Sequence, residues 1–531
     1  MSWRRWIVTF LALSIAREAR AQAGEGTVVF EHVANVPMDQ AGVLRDRTVI
    51  VRSGRIVSIV AGAPAPAGAI RIDGQGKFLF PGLTDAHVHL AANPAAWLAL
   101  FLSHGVPTVF NLQGGAEHLA LRQRVAAGEV AGPTIYTSGP YTNQPGIMTP
   151  ADADRAVADQ KAAGYDFVKI HGNLTAEAYA ALITAGRANH LTIIGHAPRN
   201  LPFDSVIAAR QPMIAHAEEL IYTRFRELDT TVVAPVAART AAAGIWVTPT
   251  LSTFSGIVTQ WGRPAAVDSA LALPEGLGLP KPLQQFWRGS NPYTGRTQGA
   301  DWALNAYRFQ HPLVRMLDQA GVSLLAGTDT PLPVMIPGHS LHNEIAELES
   351  AGISRLGALR AATANPGRFI ASFVDSAARF GTVTVGSRAD LVLVDRNPIE
   401  SPATLVHPLG VMARGRWYDR ATLDRMVEAA SKATVEVATE PTIALSDAER
   451  RLYVGRFQSE APTRTVAVVE REGKLIVEQP GQPAIELAAV GPRQFVAVTS
   501  IRRIEVVFDE ARTTMTVTID GTPFAIFRRV A

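Results

Sequence analysis

The stretch Phe80-Pro-Gly-Leu-Thr-Asp-Ala-His-Val-His-Leu90 decides the fold class of this chain. Residues two apart in a β-strand point to the same face, so His87 and His89 would leave one face of a short strand together. Pro81 and Gly82 break the chain just before this strand. Two neutral ring nitrogens supply half of a divalent-metal site, so the remaining ligands must come from elsewhere in the sequence.

Four later apolar runs each carry a polar residue that could bind a metal, at or near the carboxyl end of the run. The runs are 165–170 with Lys169, 191–196 with His196, 211–216 with His216, and 321–329 with Asp329. Such runs are typical of strands buried on both faces of a parallel sheet. Helix-like stretches such as 175–189 and 232–243 separate them, and this alternation predicts a parallel α/β fold. In a (β/α)8 TIM barrel the carboxyl ends of the strands build the active site, so these side chains would converge.

This order of residues resembles the amidohydrolase superfamily of metal-dependent hydrolases, in its imidazolonepropionase-like and prolidase-like dipeptidase branch. The resemblance covers roughly residues 25–425. Residues 45–59 resemble the N-terminal strands of the family's small composite β-domain, and residues 386–398 and 411–417 resemble its C-terminal half. Asn365-Pro-Gly-Arg-Phe369 departs from the family's usual Asn-Pro-Ala in a packing segment.

The resemblance implies a centre of two divalent metal ions, expected to be Zn²⁺. One ion would be held by His87, His89 and Asp329, and the other by His196 and His216. Lys169 would bridge both ions as an N6-carboxylysine formed with carbon dioxide, because an unmodified lysine is a cation and cannot be a ligand. A barrel-edge lysine in an ion pair is the alternative for this position.

The same resemblance implies a mechanism. A hydroxide that bridges two divalent ions is available near neutral pH. Asp329 would be the catalytic residue, since it would accept the hydroxide proton and pass it to the leaving nitrogen.

The substrate is less well defined by the sequence. Arg199, or Tyr222 with Arg224, could hold a substrate carboxylate by charge-assisted hydrogen bonds, although a solvated rim is the alternative. His339, like His171 and His342, could contact the substrate. The preferred reaction is hydrolysis of the amide bond of a dipeptide or an N-acyl amino acid. A cyclic amidohydrolase and an ammonia-releasing aminohydrolase remain alternatives, and an inactive binding protein on this scaffold is a distant one.

Residues 252–298 form a long insertion between the seventh and eighth predicted strands. The segment contains Trp261, Trp287 and several prolines. Long irregular loops in compact domains are usually lids, binding loops or disordered segments, and the aromatic residues argue against disorder. We therefore expect this insertion to cover the mouth of the barrel.

Composition excludes several classes of protein. The chain has 531 residues, 47% of them hydrophobic and 18% charged, and contains no cysteine. The absence of cysteine removes disulfides, thiolate zinc sites and cysteine nucleophiles. The sequence also lacks P-loop, GxSxG and HExxH motifs. The partner that we expect is a small-molecule substrate, with no nucleic acid and no integral membrane span; a homo-oligomer is an open expectation.

The N-terminus resembles an export signal. Arg4 and Arg5 precede the apolar run 6–16, and two Ala-x-Ala sites end at Ala21 and Ala23. Residues 1–23 are therefore expected to be a cleavable signal peptide, which makes the periplasm or secretion the expected destination. Removing this segment deletes four arginines and one glutamate, a net +3 that equals the formal charge of the whole chain. The mature protein would thus be near neutral, which gives no electrostatic reason to expect nucleic-acid binding.

These observations predict four regions: the signal peptide, a composite β-sandwich domain from residues 24–80 and 380–425, a (β/α)8 barrel from 81–379, and an antiparallel β-module from 441–531. The last region contains six strand-like runs, at 465–470, 475–478, 485–490, 495–499, 504–508 and 515–519. It resembles a small domain of unknown function that often follows bacterial hydrolase domains. No cluster of metal-ligand residues occurs in it.

Overall fold

The structure is a computed structural model that describes residues 26–62, 64–90, 95–289, 291–432, 442–459, 464–479, 484–497, 504–519 and 522–530. The signal peptide predicted for residues 1–23 lies outside these ranges. None of the helices within them combines the length and the apolar character that a membrane span requires.

The central domain is the predicted (β/α)8 barrel. Seven of its strands are Thr84–Val88, Thr108–Asn111, Thr134–Thr137, Phe167–Ile170, Thr192–Gly195, Met213–Ala215 and Trp246–Thr248. They pair in parallel as one group of three and one group of four, joined where Ser138 bridges Phe167. The eighth run, 321–329, closes the ring through single bridges, from Leu324 to Val247 and from Thr330 to Val88.

Helices surround these strands. They are Ala95–Ser103, Ala116–Ala127, Pro150–Ala163, Ala176–Ala188, Phe203–Ala209, Glu218–Thr223, Val233–Ala242, Ala300–Gln319, His339–Ser350, Arg355–Ala361 and Ala364–Phe373, with a 3₁₀ turn at Thr230–Val232. Local sequence sets several of their ends. Thr149 caps the third helix by accepting a hydrogen bond from the Asp152 backbone N–H, and Gly164 ends it in the left-handed conformation at φ 88°. One continuous cluster of buried aliphatic and aromatic side chains fills the space between strands and helices.

A mixed sheet of eight strands combines both ends of the barrel segment. Its strands are Val28–Asn35, Leu44–Arg52, Arg55–Ala61, Ile70–Asp73, Phe78–Pro81, Leu391–Val394, Gly410–Ala413 and Arg416–Asp419. Leu391–Val394 pairs antiparallel with Phe78–Pro81, which joins the C-terminal strands to the N-terminal ones. Because Phe78–Pro81 leads directly into the first barrel strand, this sheet anchors the segment that carries His87 and His89.

The insertion after the seventh strand is helical, which corrects the expectation of a long irregular loop. Its helices are Leu251–Gln260, Ala265–Leu271, Pro274–Leu277 and Lys281–Gly289. Prolines stand at or near several of the helix starts, where a missing N–H costs nothing, so they delimit helices here rather than prevent them. Trp287 is fully buried and donates its indole N–H to the Pro331 carbonyl at 3.0 Å, which ties the insertion to the segment after Asp329.

The C-terminal module is a closed antiparallel barrel of eight strands, two more than the sequence predicted. The strands are Gly455–Ser459, Arg464–Arg471, Lys474–Glu478, Ile485–Gly491, Gln494–Ala497, Ile504–Phe508, Thr514–Ile519 and Thr522–Val530. The first and last of these were not predicted, and their pairing, with Arg456 opposite Val530, closes the barrel. Helices Arg420–Lys432 and Asp447–Arg451 precede it. Closure leaves no edge strand, so the module buries its own core around Phe457, Phe495 and Phe508.

Candidate active site

Three of the predicted ligands meet at the carboxyl end of the first and eighth strands. Asp329 Oδ1 lies 2.7 Å from His89 Nε2 and 3.2 Å from His87 Nε2, and the two imidazole nitrogens are 3.2 Å apart. The bridge between Val88 and Thr330 sets this register. Gly327 makes the approach possible, because a Cβ on that residue would lie 2.8 Å from the Cβ of His87.

The other three predicted ligands come from the fourth, fifth and sixth strands. Lys169 is fully buried, and its Nζ lies 3.3 Å from His87 Nε2. The His216 ring is 4.5 Å from the His87 ring and 4.9 Å from the His196 ring, measured between centroids. Ligand atoms of His87, His216 and Asp329 all lie within 4.8 Å of one another. The structure therefore brings all six predicted residues to one end of the barrel.

Gly195 lets the lysine reach this point. Its φ of 117° is one that side-chain-bearing residues rarely adopt. A Cβ there would lie 2.4 Å from the Ile170 carbonyl oxygen and 2.6 Å from Lys169 Cδ. The glycine before His196 is thus required by the path of the lysine side chain on the neighbouring strand.

Polar partners behind the predicted ligands orient them. The carboxylate of Glu219 is fully buried and lies 3.0 Å from His196 Nδ1, while Arg199 donates to both of its oxygens. Thr250 Oγ1 pairs with His216 Nδ1 at 2.8 Å. Partners of this kind fix ring orientation and tautomer in metal sites.

Asp85 holds the loop that carries Asp329. Its carboxylate accepts hydrogen bonds from the Thr328 backbone N–H and hydroxyl and from the His87 backbone N–H. Burial raises the pKa of Asp85 to about 7. Because these hydrogen bonds come from two backbone N–H groups and a threonine hydroxyl, the role of Asp85 is to position the two segments that meet at Asp329.

The electrostatics of the site favour neutral imidazoles and an ionised aspartate. Burial, reinforced by Lys169, lowers the pKa of His87 to about 3. Burial also lowers the pKa of Lys169, to about 7. Burial opposes ionisation of Asp329, but the surrounding His87, His216 and His89 rings take its pKa well below the usual range. Neutral imidazole nitrogens and a carboxylate are the forms that bind divalent metals.

Three side-chain-bearing residues at the site have left-handed backbone conformations. Their φ angles are 72° at His216, 52° at Asp329 and 53° at Thr250. Each such conformation costs on the order of 1 kcal/mol and persists only where the surroundings enforce it. The strain is concentrated on the carboxyl ends of the sixth, seventh and eighth strands, where the proposed ligands and their partner lie.

The predicted substrate residues divide into those that line a common cavity and those that do not. A cavity of about 360 Å³ is lined by Arg199, Ile221, Tyr222, Arg226 and Trp302. The Tyr222 and Trp302 rings are stacked at 6.0 Å, and the Arg199 guanidinium lies 4.3 Å over the Tyr222 ring. Arg224 is not in this lining and instead lies over Phe225.

His339 lies against His104, with ring centroids 5.5 Å apart, and among the described residues no ring contact joins it to the six predicted ligands. His171, by contrast, lies 4.6 Å from the His196 ring and stacks on Tyr141 at 4.3 Å. The Tyr141 hydroxyl is 3.4 Å from His89 Nδ1. Tyr141 and His171 therefore form one wall of the site, while His339 belongs to another part of the structure.

Comparison with known proteins agrees with this geometry. The model of the amidohydrolase family matches residues 78–418. The chain belongs to the amidohydrolase family. That assignment supports a metal-dependent hydrolase that acts on carbon–nitrogen bonds, and it confirms the resemblance drawn from the sequence.

Several solved structures share the fold of this amidohydrolase. It is similar to a candidate prolidase from Bifidobacterium longum, with 25% identity, a TM-score of 0.58, and coverage of 76% of this chain and 99% of that one. The bottromycin amidohydrolase has 24% identity, a TM-score of 0.61 and coverage of 78% and 93%. A Xaa-Pro dipeptidase with methionine in its active site has 18% identity, a TM-score of 0.57 and coverage of 74% and 100%.

Curated relatives match only a short segment of the amidohydrolase. The imidazolonepropionase of Mycolicibacterium smegmatis is 47% identical over 49 residues, and that of Klebsiella pneumoniae is 49% identical over the same length. Each alignment covers 9% of this chain and 12% of the relative.

Sequence reasoning missed several residues that shape this site. Glu219 could have been found from its place three residues after His216, at the start of a helix that follows a strand end. Asp85 could have been found two residues before His87, on the same strand face. Arg226 and Trp302 enter the cavity through tertiary packing, and no local pattern indicates them.

Proposed function

We propose that this amidohydrolase is an exported enzyme that carries two divalent metal ions and hydrolyses the amide bond of a dipeptide or an N-acyl amino acid. One observation carries the proposal: imidazole nitrogens, the Lys169 amine and an Asp329 oxygen converge from five strands within a few ångströms. The export part rests on residues 1–23 of the sequence alone.

The donor set fits a pair of divalent ions. His87, His89 and Asp329 would hold one ion, and His196 and His216 the other, with Zn²⁺ favoured by the abundance of imidazole. When bound, the ions would supply a water activated near neutral pH and a Lewis acid for the scissile carbonyl. Two residues orient this set. Thr250 is hydrogen-bonded to His216, and Glu219 lies 3.0 Å from His196 Nδ1.

Lys169 would join the two halves as a carboxylysine. Its amine lies 3.3 Å from His87 Nε2, beside other neutral donors, where an ammonium ion could only repel a metal. Carbon dioxide reacts with a neutral amine, and burial lowers the pKa of Lys169 to about 7, which favours the neutral form relative to an exposed lysine. The carbamate product would contribute anionic oxygen ligands.

Asp329 would move the proton in the reaction. Its carboxylate faces His87 and His89 and remains ionised, so it can accept a proton from the attacking water and deliver it to the leaving nitrogen. Tyr141 stacks on His171, and its hydroxyl lies near His89 Nδ1. Tyr141 would therefore contact the substrate beside the metal ligands.

The substrate class is proposed from the cavity and the relatives together. Arg199 and Arg226 both line one cavity, and guanidinium groups bind carboxylates by paired hydrogen bonds. Tyr222 and Trp302 add stacked aromatic surface that suits an apolar or aromatic side chain. The prolidase and dipeptidase neighbours favour a substrate with a free C-terminal carboxylate.

A substrate panel tests this proposal. Free dipeptides, the same dipeptides as C-terminal methyl esters, N-acetyl amino acids, cyclic imides and aminopurines would be compared by kcat/KM. We expect cleavage of free dipeptides or N-acyl amino acids, with at least a tenfold loss for the esters, since removing a charged hydrogen bond costs about 1.5–3 kcal/mol. Equal cleavage of esters would refute carboxylate recognition. Ammonia as the sole nitrogen product would refute amide hydrolysis in favour of an aminohydrolase.

A further inference from the structure

A second group of histidines lies outside the candidate active site. His339, His342 and His407 lie around His104, and Glu275 contacts His407; this group is called the second histidine cluster. Ring centroids of His339, His407 and His342 lie 5.5, 5.7 and 6.3 Å from that of His104. The members come from a barrel helix end, the insertion, the first turn of helix His339–Ser350, and the loop before strand Gly410–Ala413.

The hydrogen bonds of this cluster leave lone pairs on its rings. His104 Nδ1 lies 2.9 Å from the Val406 carbonyl oxygen, and His342 Nε2 lies 2.9 Å from the His104 carbonyl oxygen. A carbonyl can only accept, so each of these nitrogens must carry a proton, and in the neutral ring the opposite nitrogen carries the lone pair. Histidines that bind metals are oriented in this way, with one N–H donated to a carbonyl or carboxylate.

Two further observations point to a ligand at this cluster. His339 Nδ1 is buried without a hydrogen-bond partner among the described residues. Glu275 is mostly buried, with 13% of its side chain exposed, and its Oε1 lies 3.3 Å from His407 Nε2. An unpaired buried ring nitrogen is unfavourable, and a bound cation would relieve that cost.

We propose that the second histidine cluster binds a transition-metal ion, such as Zn²⁺, through His104, His339, His407 and Glu275. Two imidazoles on one tetrahedral zinc have ring centres about 5 Å apart. The separations of 5.5 and 5.7 Å are close to this value and to the 4.9 Å between His196 and His216. His342 is three residues after His339 and holds the His104 carbonyl, so it positions the site.

Metal capture requires rotation of the rings. Within the described part of the chain, three ligand atoms already lie within 4.8 Å of one another only in the group of His87, His216 and Asp329. His407 can rotate because 63% of its side chain is exposed. The bound ion would join the insertion, through Glu275, to the barrel and to the loop that carries His407, so it would stabilise the folded enzyme by mass action.

The experiment counts metal ions on the holoenzyme. Wild type, the Glu275→Gln/His407→Gln double variant and a control would be dialysed against increasing Zn²⁺ and measured by elemental analysis, with Tm recorded at each concentration. The control is His32→Gln/Asp46→Asn, which removes an exposed histidine–carboxylate pair with an Nδ1–Oδ1 distance of 2.9 Å. Turnover of each protein shows that the catalytic centre is filled.

We expect wild type and control to bind one more equivalent of Zn²⁺ than the double variant, with a rise in Tm over the same concentration range. In the double variant that equivalent should bind at least about tenfold more weakly. His339→Gln should reproduce the loss, and the single exposed change His407→Gln serves if the double variant does not fold. Equal metal content and equal affinity in wild type and variants would overturn the proposal. Equal losses in the control and the double variant would overturn it as well.

Discussion

Replacing Glu219 by glutamine is the change that most sharply separates metal positioning from simple packing. The fully buried Glu219 carboxylate takes two hydrogen bonds from Arg199 Nε, at 3.0 and 3.1 Å, and lies 3.0 Å from His196 Nδ1. Glutamine keeps the shape, but it removes the charge and presents an amide N–H₂ to a partner that only donates. Removing one member of a buried pair costs about 3–5 kcal/mol. Since 42% of the Arg199 side chain is exposed and can be rehydrated, we expect the loss of stability to be smaller, about 2 kcal/mol.

The larger effect should fall on the metal that His196 would bind in the proposed centre. Substitution of a partner behind a ligand histidine typically weakens metal affinity or activity 10–100-fold. Affinity would be measured by competition with a chelator, activity as kcat/KM, and stability by urea unfolding. Glu218→Gln is the matched control, because burial raises the pKa of Glu218 to about 8 and glutamine mimics its protonated form at neutral pH. Wild-type metal affinity in Glu219→Gln would refute the positioning role.

Three more outcomes follow from the same geometry. Lys169→Ala should lose one of two metal equivalents and about 100-fold or more in turnover, measured with bicarbonate present; an unchanged metal count would contradict the bridge. Burial raises the pKa of Glu344 to about 8 in the folded protein, from 4.5 in the unfolded chain. Between these two values the folded protein holds a proton that the unfolded chain releases. The free energy of unfolding therefore falls as pH rises from 4.5 through 8. Glu344→Gln should therefore weaken the pH dependence of urea unfolding between pH 5 and 8; an unchanged slope would contradict this. A chain ending near residue 440 should keep its metals and most of its turnover, since the C-terminal barrel has its own core; a folded, metal-loaded but inactive product would place that barrel in the active site.

The barrel and the convergence of the six predicted ligands could be predicted from the sequence because each strand and its polar residue form a local sequence pattern. A short apolar run ending in His196, His216 or Asp329 carries both the strand and its ligand, and parallel topology then dictates convergence. The weakest of these runs, 321–329, forms only a single bridge to the seventh strand, yet its residue Asp329 still reaches His89 at 2.7 Å.

Other features depend on contacts between distant segments, and no local sequence pattern predicts them. The proline-containing insertion is expected from sequence to be a long irregular loop, whereas its prolines stand near the starts of short helices that pack around the buried Trp287. The first and last strands of the C-terminal barrel pair with each other across more than seventy residues, and only closure shows them to be strands. His339 follows Asp329 by ten residues, but the start of its helix turns it toward His104.

Metal-dependent turnover is the direct test of the central claim. The purified enzyme would be stripped with a chelator and then titrated with Zn²⁺ in the presence of bicarbonate, while cleavage of an active dipeptide or N-acyl amino acid is followed. We predict that activity is lost on stripping and returns in full at two equivalents of metal per chain, and that Asp329→Asn stays inactive at any metal concentration. Full amide hydrolysis by the metal-free protein, or by Asp329→Asn, would contradict the account.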